Sequence, residues 1–352
     1  MRPKIGIVGT GQTVGIAHYH TMSLLADGRA EIAAVYNSKP DLAAAFLTDH
    51  GLEQARVCGS YSELLDAVDA VDICSPNSTH IDYVLQAVQA DKHIFVEKPL
   101  ALNARDSYQA VIALEDRNLF NMVGFVYRYA YAAQELRKLV ENEIGRVYTF
   151  AGSFGGRRLA DPDLPLEWRM VREHSGTGAL GDFGSHLVDL ADFTAGLRFD
   201  AVNAMTSTVV PERPANPEGL TQVENDDQAA FTASTAANAL ASFTVSRVGM
   251  DAMNLLIAGE GGLLRLSFAN PQVINYLPAP GGKYGAEPKE IPVRPQVFFD
   301  GWFDEQMKAF VDGLLGEDVP AAADMHQGHY VQSVLDAAEK ASQQNPFQVA
   351  LC

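Results

Sequence analysis

The sequence predicts an α/β protein made of two domains. Its first 125 residues alternate strand and helix patterns with short connections, which is typical of a parallel sheet with helices on both faces. Between residues 201 and 276, β-rich runs follow one another without long helices, which favours an antiparallel sheet. The length of 352 residues suits two domains, and we expect them to comprise residues 1–125 and 126–352.

Six strand patterns make up the predicted sheet of the first domain. Helical stretches rich in Ala and Leu separate them, such as DLAAAFLTDHG and IDYVLQAVQA. Right-handed crossovers between parallel strands then give a doubly wound sheet. The six patterns are KIGIVG (4–9), EIAAVY (31–36), ARVC (55–58), VDICS (71–75), HIFVE (93–97) and NMVGF (121–125).

The second domain begins with a predicted helix from Ala132 to Glu143, a long strand, VYTFAGSF, and a helix around GALGDFGSHLVDLADF. Loops are expected at 210–225 and 278–300, which are rich in Pro, Gly and charge, and helices at 302–315 and 325–344. The runs ALASFTV and NLLIAG are expected to leave apolar residues on both faces of the sheet, which suits a surface covered by a second copy. The β-rich runs are AVNAMTSTVV, QAAFTAST, ALASFTVSRV, NLLIAG, GLLRLSF and QVINYL.

The composition is that of an ordinary globular protein, with 47% hydrophobic and 20% charged residues. A formal net charge of −18 disfavours nucleic acid and anionic membranes as partners. No apolar run approaches the roughly 20 residues that span a bilayer, and the amino terminus enters a strand at once, so no signal peptide is predicted. Cys58, Cys74 and Cys352 are too widely spaced for a metal or disulfide framework, so we expect a reducing cytoplasm.

A glycine-rich segment, GTGQTVG, follows the first predicted strand and precedes a helix. Glycines there let the backbone approach a pyrophosphate, and the helix amino terminus supplies N–H groups and a partial positive charge. The spacing is one residue longer than the usual dinucleotide pattern, so the position between strand and helix carries the prediction. The predicted nucleotide-binding residues here are Gly9, Thr10, Gly11, Gln12, Thr13 and Gly15.

The end of the second strand bears on the choice of cofactor. An Asp or Glu at this point would bind the ribose 2′-hydroxyl of NAD and repel the 2′-phosphate of NADP. Asn37, Ser38 and Lys39 offer an amide, a hydroxyl and a cation instead, which favours NADP or the use of both cofactors. The alternative is a solvated turn, because Lys39-Pro40-Asp41 is also a good helix start.

Ser75, Pro76 and Asn77 follow the fourth strand, with His80 in the next helical turn. A backbone so placed would pass beside the nicotinamide ribose and the pyrophosphate of a dinucleotide. A Pro-Asn turn with a capped helix is the structural alternative.

The tripeptide Glu97-Lys98-Pro99 ends the fifth strand. A lysine at the carboxyl end of a strand in an open α/β sheet points at the crevice where such folds bind ligands. Lys98 can therefore place a positive charge beside a reacting oxygen. The alternative is a surface turn stopped by proline.

Asp182 and His186 lie four residues apart in a helical pattern, so both project from one face, which Gly181 and Gly184 are expected to leave open to a ligand. Oxidation of an alcohol by a nicotinamide needs a base, a group that orients the base and positive charge near the alkoxide. His186, Asp182 and Lys98 fit these roles in that order. A lone histidine on a helix is otherwise more often a core or surface residue. The other histidines lack a matching carboxylate or cysteine set, so no metal is predicted.

The chain resembles the glucose–fructose oxidoreductase / inositol dehydrogenase / MocA (Gfo/Idh/MocA) family over almost its full length. The resemblance rests on GIVGTG, PNSTH, HIFVEKPLALN, MVGFVYRY, WRMVREHSGTGALGDFGSHLVDL and EQMKAFVDGLL, in that order. It implies an N-terminal Rossmann domain and a C-terminal α+β domain whose open, mostly antiparallel sheet forms a homodimer or homotetramer interface. The departure from the family pattern is the extra residues Gln12 to Val14, which affect the pyrophosphate contacts.

The resemblance also assigns residues. Lys98, Asp182 and His186 match the family's catalytic lysine, aspartate and histidine. By a looser match, the residues that approach cofactor or substrate are Tyr127, Arg128, Trp168 and Arg169, and Glu97 and Lys98 lie beside the cofactor.

The function that this implies is an NAD(P)-dependent oxidoreductase acting on a secondary alcohol of a cyclic polyol or sugar, or on the matching ketone. Two alternatives stay open. Some relatives use bound NAD to cleave glycosides through transient oxidation, and some bind nucleotide without catalysis as sensors. Retention of all three residues of catalytic type argues against a sensor.

Overall fold

The protein is described by a computed structural model that covers residues 2–11, 15–215, 219–250, 252–279 and 287–344. The segment up to residue 129 alternates strands and helices. Its strands are β1 (Lys4–Val8), β2 (Glu31–Tyr36), β3 (Arg56–Val57), β4 (Ala70–Ile73), β5 (His93–Val96) and β6 (Asn121–Val123). Its helices are α1 (Ile16–Asp27), α2 (Pro40–Asp49), α3 (Tyr61–Ala67), α4 (His80–Gln89) and α5 (Ala104–Leu114).

These six strands form one parallel sheet in the order β3-β2-β1-β4-β5-β6. The order reverses between β1 and β4, and ligands of doubly wound sheets bind at the carboxyl ends of the strands at that point. The predicted fold of this part is therefore confirmed. The strand ends differ by one or two residues, because Cys74 and Ser75 have already left the sheet for the loop that meets Gly9.

Local sequence explains where two of the helices start. Ser60 accepts a hydrogen bond from the N–H of Glu63 (3.2 Å) at the start of α3. Asn103 accepts one from the N–H of Asp106 (3.0 Å) at the start of α5. Such caps satisfy backbone donors that have no partner inside the helix.

The second part of the chain is mostly strand. Its strands are β7 (Val147–Gly155), β8 (Ala201–Ser207), β9 (Glu212–Pro214), β10 (Leu220–Gln222), β11 (Gln228–Ser234), β12 (Leu240–Ser246), β13 (Asn254–Gly259), β14 (Gly262–Ser267), β15 (Val273–Pro278) and β16 (Lys289–Pro292). Its helices are α6 (Tyr131–Leu139), α7 (Arg172–Ser175) and α8 (Ser185–Ala195), with π-helical turns at Val140–Ile144 and Leu180–Gly184. Two further helices follow, α9 (Asp300–Leu314) and α10 (Met325–Gln344).

Eight of these strands form a mixed sheet in the order β16-β15-β14-β13-β7-β12-β11-β8. Only β7 and β12 pair in parallel and the other neighbours are antiparallel, as predicted. Two predicted loops contain strands, since β9 pairs with β10 inside 210–225 and β16 pairs with β15 inside 278–300. These strands are short and lack apolar alternation, so no residue pattern there predicts a strand.

The two faces of this sheet differ in polarity. In β12 the inward residues Ala241, Phe243 and Val245 are buried, whereas Ser242 and Thr244 face outward and are exposed. The outer face is not wholly polar, because Leu240 of β12 is exposed there and Leu256 of β13 lies between buried Leu255 and Ile257. The runs ALASFTV and NLLIAG therefore leave apolar residues on both faces, as predicted. The helix α8 lies against the inner face, where Leu187 packs closely on Gly152 of β7, since a Cβ there would lie 3.1 Å from its side chain.

The described residues divide into two compact units. The first contains the chain up to Tyr129 together with Gln296–Tyr330, and the second contains Ala130–Pro295 and the residues from Val331 onward. The division near residue 129 lies close to the predicted boundary. Among the described residues, no helix is both long and apolar enough to cross a membrane.

Residues 296–330 belong to the first unit, unlike in the predicted division, because α9 packs on α1. Ser23 donates a hydrogen bond to Asp304 (2.7 Å), and Arg29 forms an ion pair with Asp312 (2.6 Å). Phe310 of α9 is fully buried in the same apolar cluster as β1 and α1. Such packing connects residues that are 281 and 283 positions apart in the chain. No local sequence pattern therefore predicts it.

Candidate active site

The glycine-rich segment after β1 lies against the end of β4. Gly9 has φ +90°, and a Cβ at this position would lie 2.7 Å from the backbone of Ser75. Only glycine fits there without strain. A Cβ on Gly11 would have no atom of the described residues within 4 Å, so these residues leave the space above it open. The open space suits the close approach of a pyrophosphate. The predicted contacts of Gln12 and Thr13 lie outside the described residues.

Asn37 connects this segment to the end of β2. Its Nδ2 donates a hydrogen bond to Oγ1 of buried Thr10 (2.9 Å), and its Oδ1 accepts one from the N–H of Lys39 (2.9 Å). The side chains of Ser38 and Lys39 are exposed. Asn37 therefore holds the turn before α2 in place, whereas the side chains of Ser38 and Lys39 do not pack in the core.

His80 lies between the loops that follow β4 and β5. Its ring is fully buried, with Nε2 2.9 Å from the carbonyl oxygen of Ser75 and Nδ1 3.0 Å from that of Pro99. Burial lowers the pKa of His80, although both carbonyls oppose that shift. The ring thus holds two loops of the cofactor edge together rather than presenting a nitrogen to a ligand, which differs from the predicted cofactor contact.

Lys98 follows β5 directly and is half-buried, and the Lys98–Pro99 peptide bond is cis. Its neighbour Glu97 is buried, with its N–H bonded to the carbonyl oxygen of Ile73 (2.9 Å). The Glu97 carboxylate lies against Gly124, just past β6. Glu97 therefore positions the start of the loop that carries Lys98.

A buried polar cluster beneath this edge was not predicted. Nδ1 of His20 lies 3.0 Å from a carboxylate oxygen of Asp72 and 3.3 Å from Sγ of Cys74, and Nε2 lies 3.5 Å from Glu97. Burial alone would lower the pKa of His20, but its interactions with Asp72 and Cys74 together outweigh burial and hold that pKa well above its usual value. Burial and the same carboxylate raise the pKa of the Cys74 thiol.

The atoms of this cluster are close enough to be metal ligands. A protonated imidazole and a neutral thiol are poor ligands, however, because metals bind the deprotonated forms. The ion pair with Asp72 engages Nδ1 of His20, whereas Nε2 has no hydrogen-bond partner among the described residues and lies 3.5 Å from a carboxylate oxygen of Glu97. The sequence signals were an aspartate inside the apolar strand β4 and a histidine on the apolar face of α1.

Tyr127 and Arg128 lie in the short turn Val126–Tyr129 of the first unit, and both are buried. The Tyr127 ring lies 5.2 Å from that of Trp302, and Nη1 of Arg128 donates to the carbonyl oxygen of Ala321 (3.4 Å). This hydrogen bond gives Arg128 a structural role in the first unit.

In the second unit, Asp182 lies in the π-helical turn Leu180–Gly184 and His186 lies in the first turn of α8. Short π-helical turns occur frequently at functional sites. His186 is buried, and its ring lies 6.0 Å from that of Phe154 in β7. The strand thus fixes the position of the imidazole from the sheet side.

The two glycines of this segment have a different role from the predicted one. A Cβ on Gly181 would lie 2.6 Å from Oγ1 of Thr177, and one on Gly184 would lie 3.5 Å from Leu180 and Leu335. Both glycines are buried in packing, so they allow the tight turn and do not open a face to a ligand.

Arg158 and Glu167 are site residues that sequence reasoning missed. Two guanidinium nitrogens of Arg158 donate to the two carboxylate oxygens of Glu167 (2.5 and 2.8 Å). This pairing raises the pKa of Arg158, and the nearby charge of Asp182 adds to the shift. Asp182 is therefore influenced by the positive charge of Arg158, whose guanidinium already forms an ion pair with Glu167. The only signal was a pair of arginines after a long strand.

Trp168 and Arg169 lie in the short turn Trp168–Met170 of the same unit. The guanidinium of Arg169 stacks on the Trp168 ring at 4.3 Å from its centre. The main-chain oxygen of Arg169 accepts hydrogen bonds from Asn225 (2.9 Å), Arg247 (3.1 Å) and Ser175 (3.1 Å). Three donors on one carbonyl fix this turn firmly.

Two models of one family match the chain. The NAD-binding Rossmann-fold domain of the Gfo/Idh/MocA oxidoreductase family matches residues 3–125, and the GFO/IDH/MocA C-terminal domain matches residues 133–265. The chain belongs to the Gfo/Idh/MocA family of NAD(P)-dependent oxidoreductases. This confirms the family and the two-part fold that the sequence predicted.

Several relatives are dehydrogenases by name. Levoglucosan dehydrogenase of Pseudarthrobacter phenanthrenivorans is 35% identical over 61% of this chain, an alignment that spans 57% of that protein. Glucose-6-phosphate 3-dehydrogenase of Bacillus subtilis is 25% identical over 99% of each chain. The crystal structure of levoglucosan dehydrogenase with NADH and levoglucosan superposes with a TM-score of 0.87, at 25% identity and 98% coverage of both chains.

Proposed function

We propose that the protein transfers a hydride between the nicotinamide of NAD or NADP and a secondary alcohol, or the matching ketone, of a sugar or cyclic polyol. The observation that carries the proposal is the Asp182–His186 pair at the junction of a π-helical turn and α8. Lys98 at the carboxyl end of β5 supplies the cation that the same chemistry needs. The family membership supports the assignment.

Each residue has one role in the proposed reaction. His186 takes the hydroxyl proton as general base, and Asp182 orients its imidazole. Lys98 stabilises the negative charge that develops on the substrate oxygen. When bound, the nicotinamide cofactor accepts or supplies the hydride. The open backbone at Gly11 and the free N–H groups at the start of α1 would hold its pyrophosphate.

We propose a neutral sugar or polyol rather than a phosphorylated one. Arg158, the cation near Asp182, is already paired with Glu167 through two hydrogen bonds, so it adds little positive charge for a phosphate. The guanidinium of Arg169 stacks on the Trp168 ring, so it is likewise engaged by a neighbour. Levoglucosan and inositol, named as substrates of relatives, are both neutral.

The test is NAD(P)H formation with a panel of neutral sugars, levoglucosan, myo-inositol, glucosides and glucose 6-phosphate, each with NAD and with NADP. We expect turnover with a neutral member, and loss of turnover in His186→Ala. Turnover of glucose 6-phosphate alone would contradict the neutral substrate. Cleavage of aryl glycosides without added cofactor would favour the glycoside-cleaving alternative, and nucleotide binding without any turnover would favour a sensor.

For the cofactor, we propose that NADP is used at least as well as NAD. No carboxylate stands at the end of β2, Asn37 is neutral, and Ser38 and Lys39 are exposed beside it. Asn37→Asp should shift the ratio of kcat/KM toward NAD, because a carboxylate would accept from the ribose and repel a 2′-phosphate. Ser60→Asp, a charge change elsewhere on the same unit, is the control. A wild-type enzyme that strongly prefers NAD would overturn this proposal.

We further propose that a second copy covers the outer face of the eight-stranded sheet, as the family resemblance implies. That face carries small polar residues such as Ser242 and Thr244, with exposed Leu240 beside them. Thr244→Arg should reduce the mass measured by light scattering from an oligomer to a monomer, whereas Thr48→Arg on α2 should not. A wild-type protein that is monomeric at micromolar concentration would contradict the proposal.

A further inference from the structure

We infer that Asp226 is the positioning residue of the segment that carries Asp182 and His186, an inference that rests on the proposed function. Three consecutive backbone N–H groups precede or begin the π-helical turn, and all three donate to Asp226. Oδ1 accepts from Gly178 (2.7 Å), Oδ2 accepts from Leu180 (2.8 Å), and the main-chain oxygen accepts from Ala179 (3.0 Å). Asp226 is buried, so water does not compete for these donors.

A carboxylate at this place does two things. Donors at a helix start have no partner inside the helix, and leaving them unsatisfied in a buried site is costly. The negative charge of a carboxylate there also interacts favourably with the partial positive charge of the helix start. Because both carboxylate oxygens are used, the residue fixes the direction of the turn as well as its position. The N–H of Asp182 in turn donates to the carbonyl oxygen of Gly178 (3.0 Å).

The contact with Asp226 requires a glycine at position 178. A Cβ at Gly178 would overlap the main-chain oxygen of Asp226, so the backbones approach as closely as they do only because this residue is glycine. The contact joins residues 48 positions apart in the chain. It is therefore a tertiary anchor and not a local helix cap.

The same short segment also holds the turn with Trp168 and Arg169. Asn225 donates from Nδ2 to the main-chain oxygen of Arg169 (2.9 Å) and accepts from Nη2 of Arg247 (2.7 Å). Arg247 reaches the same oxygen of Arg169 with Nη1 and pairs with buried Asp227 (2.9 Å). Asn225 and Asp227 thus support the proposed substrate turn, whereas Asp226 between them anchors the proposed catalytic segment.

The experiment compares two neighbouring buried carboxylates. Asp226→Asn removes one acceptor and sets an amide N–H₂ against a backbone N–H. Asp227→Asn makes the same chemical change at a residue that accepts the backbone N–H groups of Val209 and Val210 and whose ion pair with Arg247 supports the turn with Trp168 rather than the catalytic segment. Asp226→Ser keeps one oxygen acceptor and takes the place of the Asn variant if that variant does not fold.

We expect Asp226→Asn to lower kcat about 10–100-fold, as for a small misplacement of catalytic groups, with the dissociation constant of the cofactor unchanged. The midpoint of the pH–rate profile for oxidation should move to lower pH, since a displaced Asp182 no longer supports a protonated His186. Asp227→Asn should lose comparable thermal stability and keep the wild-type pH midpoint. An unchanged kcat and pH midpoint in Asp226→Asn, or equal shifts in both variants, would overturn the inference.

Hydrogen–deuterium exchange of the cofactor-bound protein tests the anchor without using turnover. Asp226→Asn should speed exchange of the amides from 178 to 186, and Asp227→Asn should not. Faster exchange confined to this segment, in a protein that turns over none of the panel, would refute the proposed function and leave the anchor standing. Wild-type exchange rates there would refute the anchor.

Discussion

The carboxylate of Glu97 fills the space in which a side chain on Gly124 would begin. A Cβ at Gly124 would lie 2.8 Å from Cδ of Glu97 and closer still to its Oε1. The N–H of Gly124 also donates to the carbonyl oxygen of Val96 (2.8 Å). The packing at the ends of β5 and β6 therefore confines the side chain of Glu97, the residue before Lys98, to one position.

Gly124→Ala tests this packing. The added methyl group must displace the Glu97 side chain, which is enclosed by His20 and the sheet, and overpacking of this kind costs about 1–3 kcal/mol. We expect a lower free energy of unfolding in urea and a lower kcat, because Lys98 follows Glu97. Gly59→Ala is the control, since a Cβ there meets only ordinary contact at 3.4 Å on the surface. Equal effects of the two changes would contradict the role given to Glu97.

Substitutions at Gly9 and Gly11 distinguish an effect on folding from an effect on cofactor binding. Gly9→Ala should lower both the melting temperature and the cofactor affinity, because the residue needs φ +90° and its Cβ would strike Ser75. Gly11→Ala should leave the melting temperature of the cofactor-free protein unchanged, since its Cβ meets no atom of the described residues within 4 Å. It should still weaken NAD(P)H binding measured by fluorescence titration. Full affinity in Gly11→Ala would show that the pyrophosphate does not approach this residue.

His20 gives the stability a defined pH dependence. Its pKa is raised in the folded protein by its interactions with Asp72 and Cys74 against the effect of burial, whereas an unfolded histidine titrates near about 6.5. Its contribution is therefore complete below that pH and is lost as pH rises through the folded pKa. The difference in free energy of unfolding between wild type and His20→Gln should be largest at mildly acidic pH and shrink toward alkaline pH. A difference that is constant with pH would rule out the ion pair.

Much of the fold was predictable because its signals are local. The six parallel strands, the glycine segment after β1 and the order of Lys98, Asp182 and His186 along the chain follow from short patterns. The anchor at Asp226 was not predictable, because its partners lie 46 to 48 residues away and a backbone donor leaves no trace in the sequence. The buried pair of His20 and Asp72 is 52 residues apart for the same reason.

The π-helical turn around Asp182 was also beyond the sequence. The pattern LGDFGSHL fits an ordinary α-helix. A π-helical turn has about one more residue per turn, and over five residues this difference does not alter the pattern of polar and apolar positions. The glycines in it were interpreted as an opening for a ligand. Their real neighbours are Thr177, four residues before Gly181, and Leu335 of α10.

Lys98 and His186 should have separable kinetic effects. Lys98→Ala should reduce kcat by about 10²–10³-fold, as for one lost preorganised group at an oxyanion, with cofactor affinity mostly intact. His186→Ala should reduce turnover by about 10²–10⁴-fold and remove the rise of the oxidation rate with pH. The same pH profile in His186→Ala would mean that another group is the base, and near-normal turnover in Lys98→Ala would remove the lysine from the mechanism.

Hydride transfer from a carbinol carbon is the central claim, and an isotope label tests it most directly. The active sugar or polyol from the panel, deuterated at its carbinol carbons, is oxidised by the wild-type protein, and the NAD(P)H formed is analysed by mass spectrometry. The account predicts that the nicotinamide ring carries a single deuterium from the substrate. Unlabelled NAD(P)H, or cleavage of the substrate without any labelled cofactor, would contradict it.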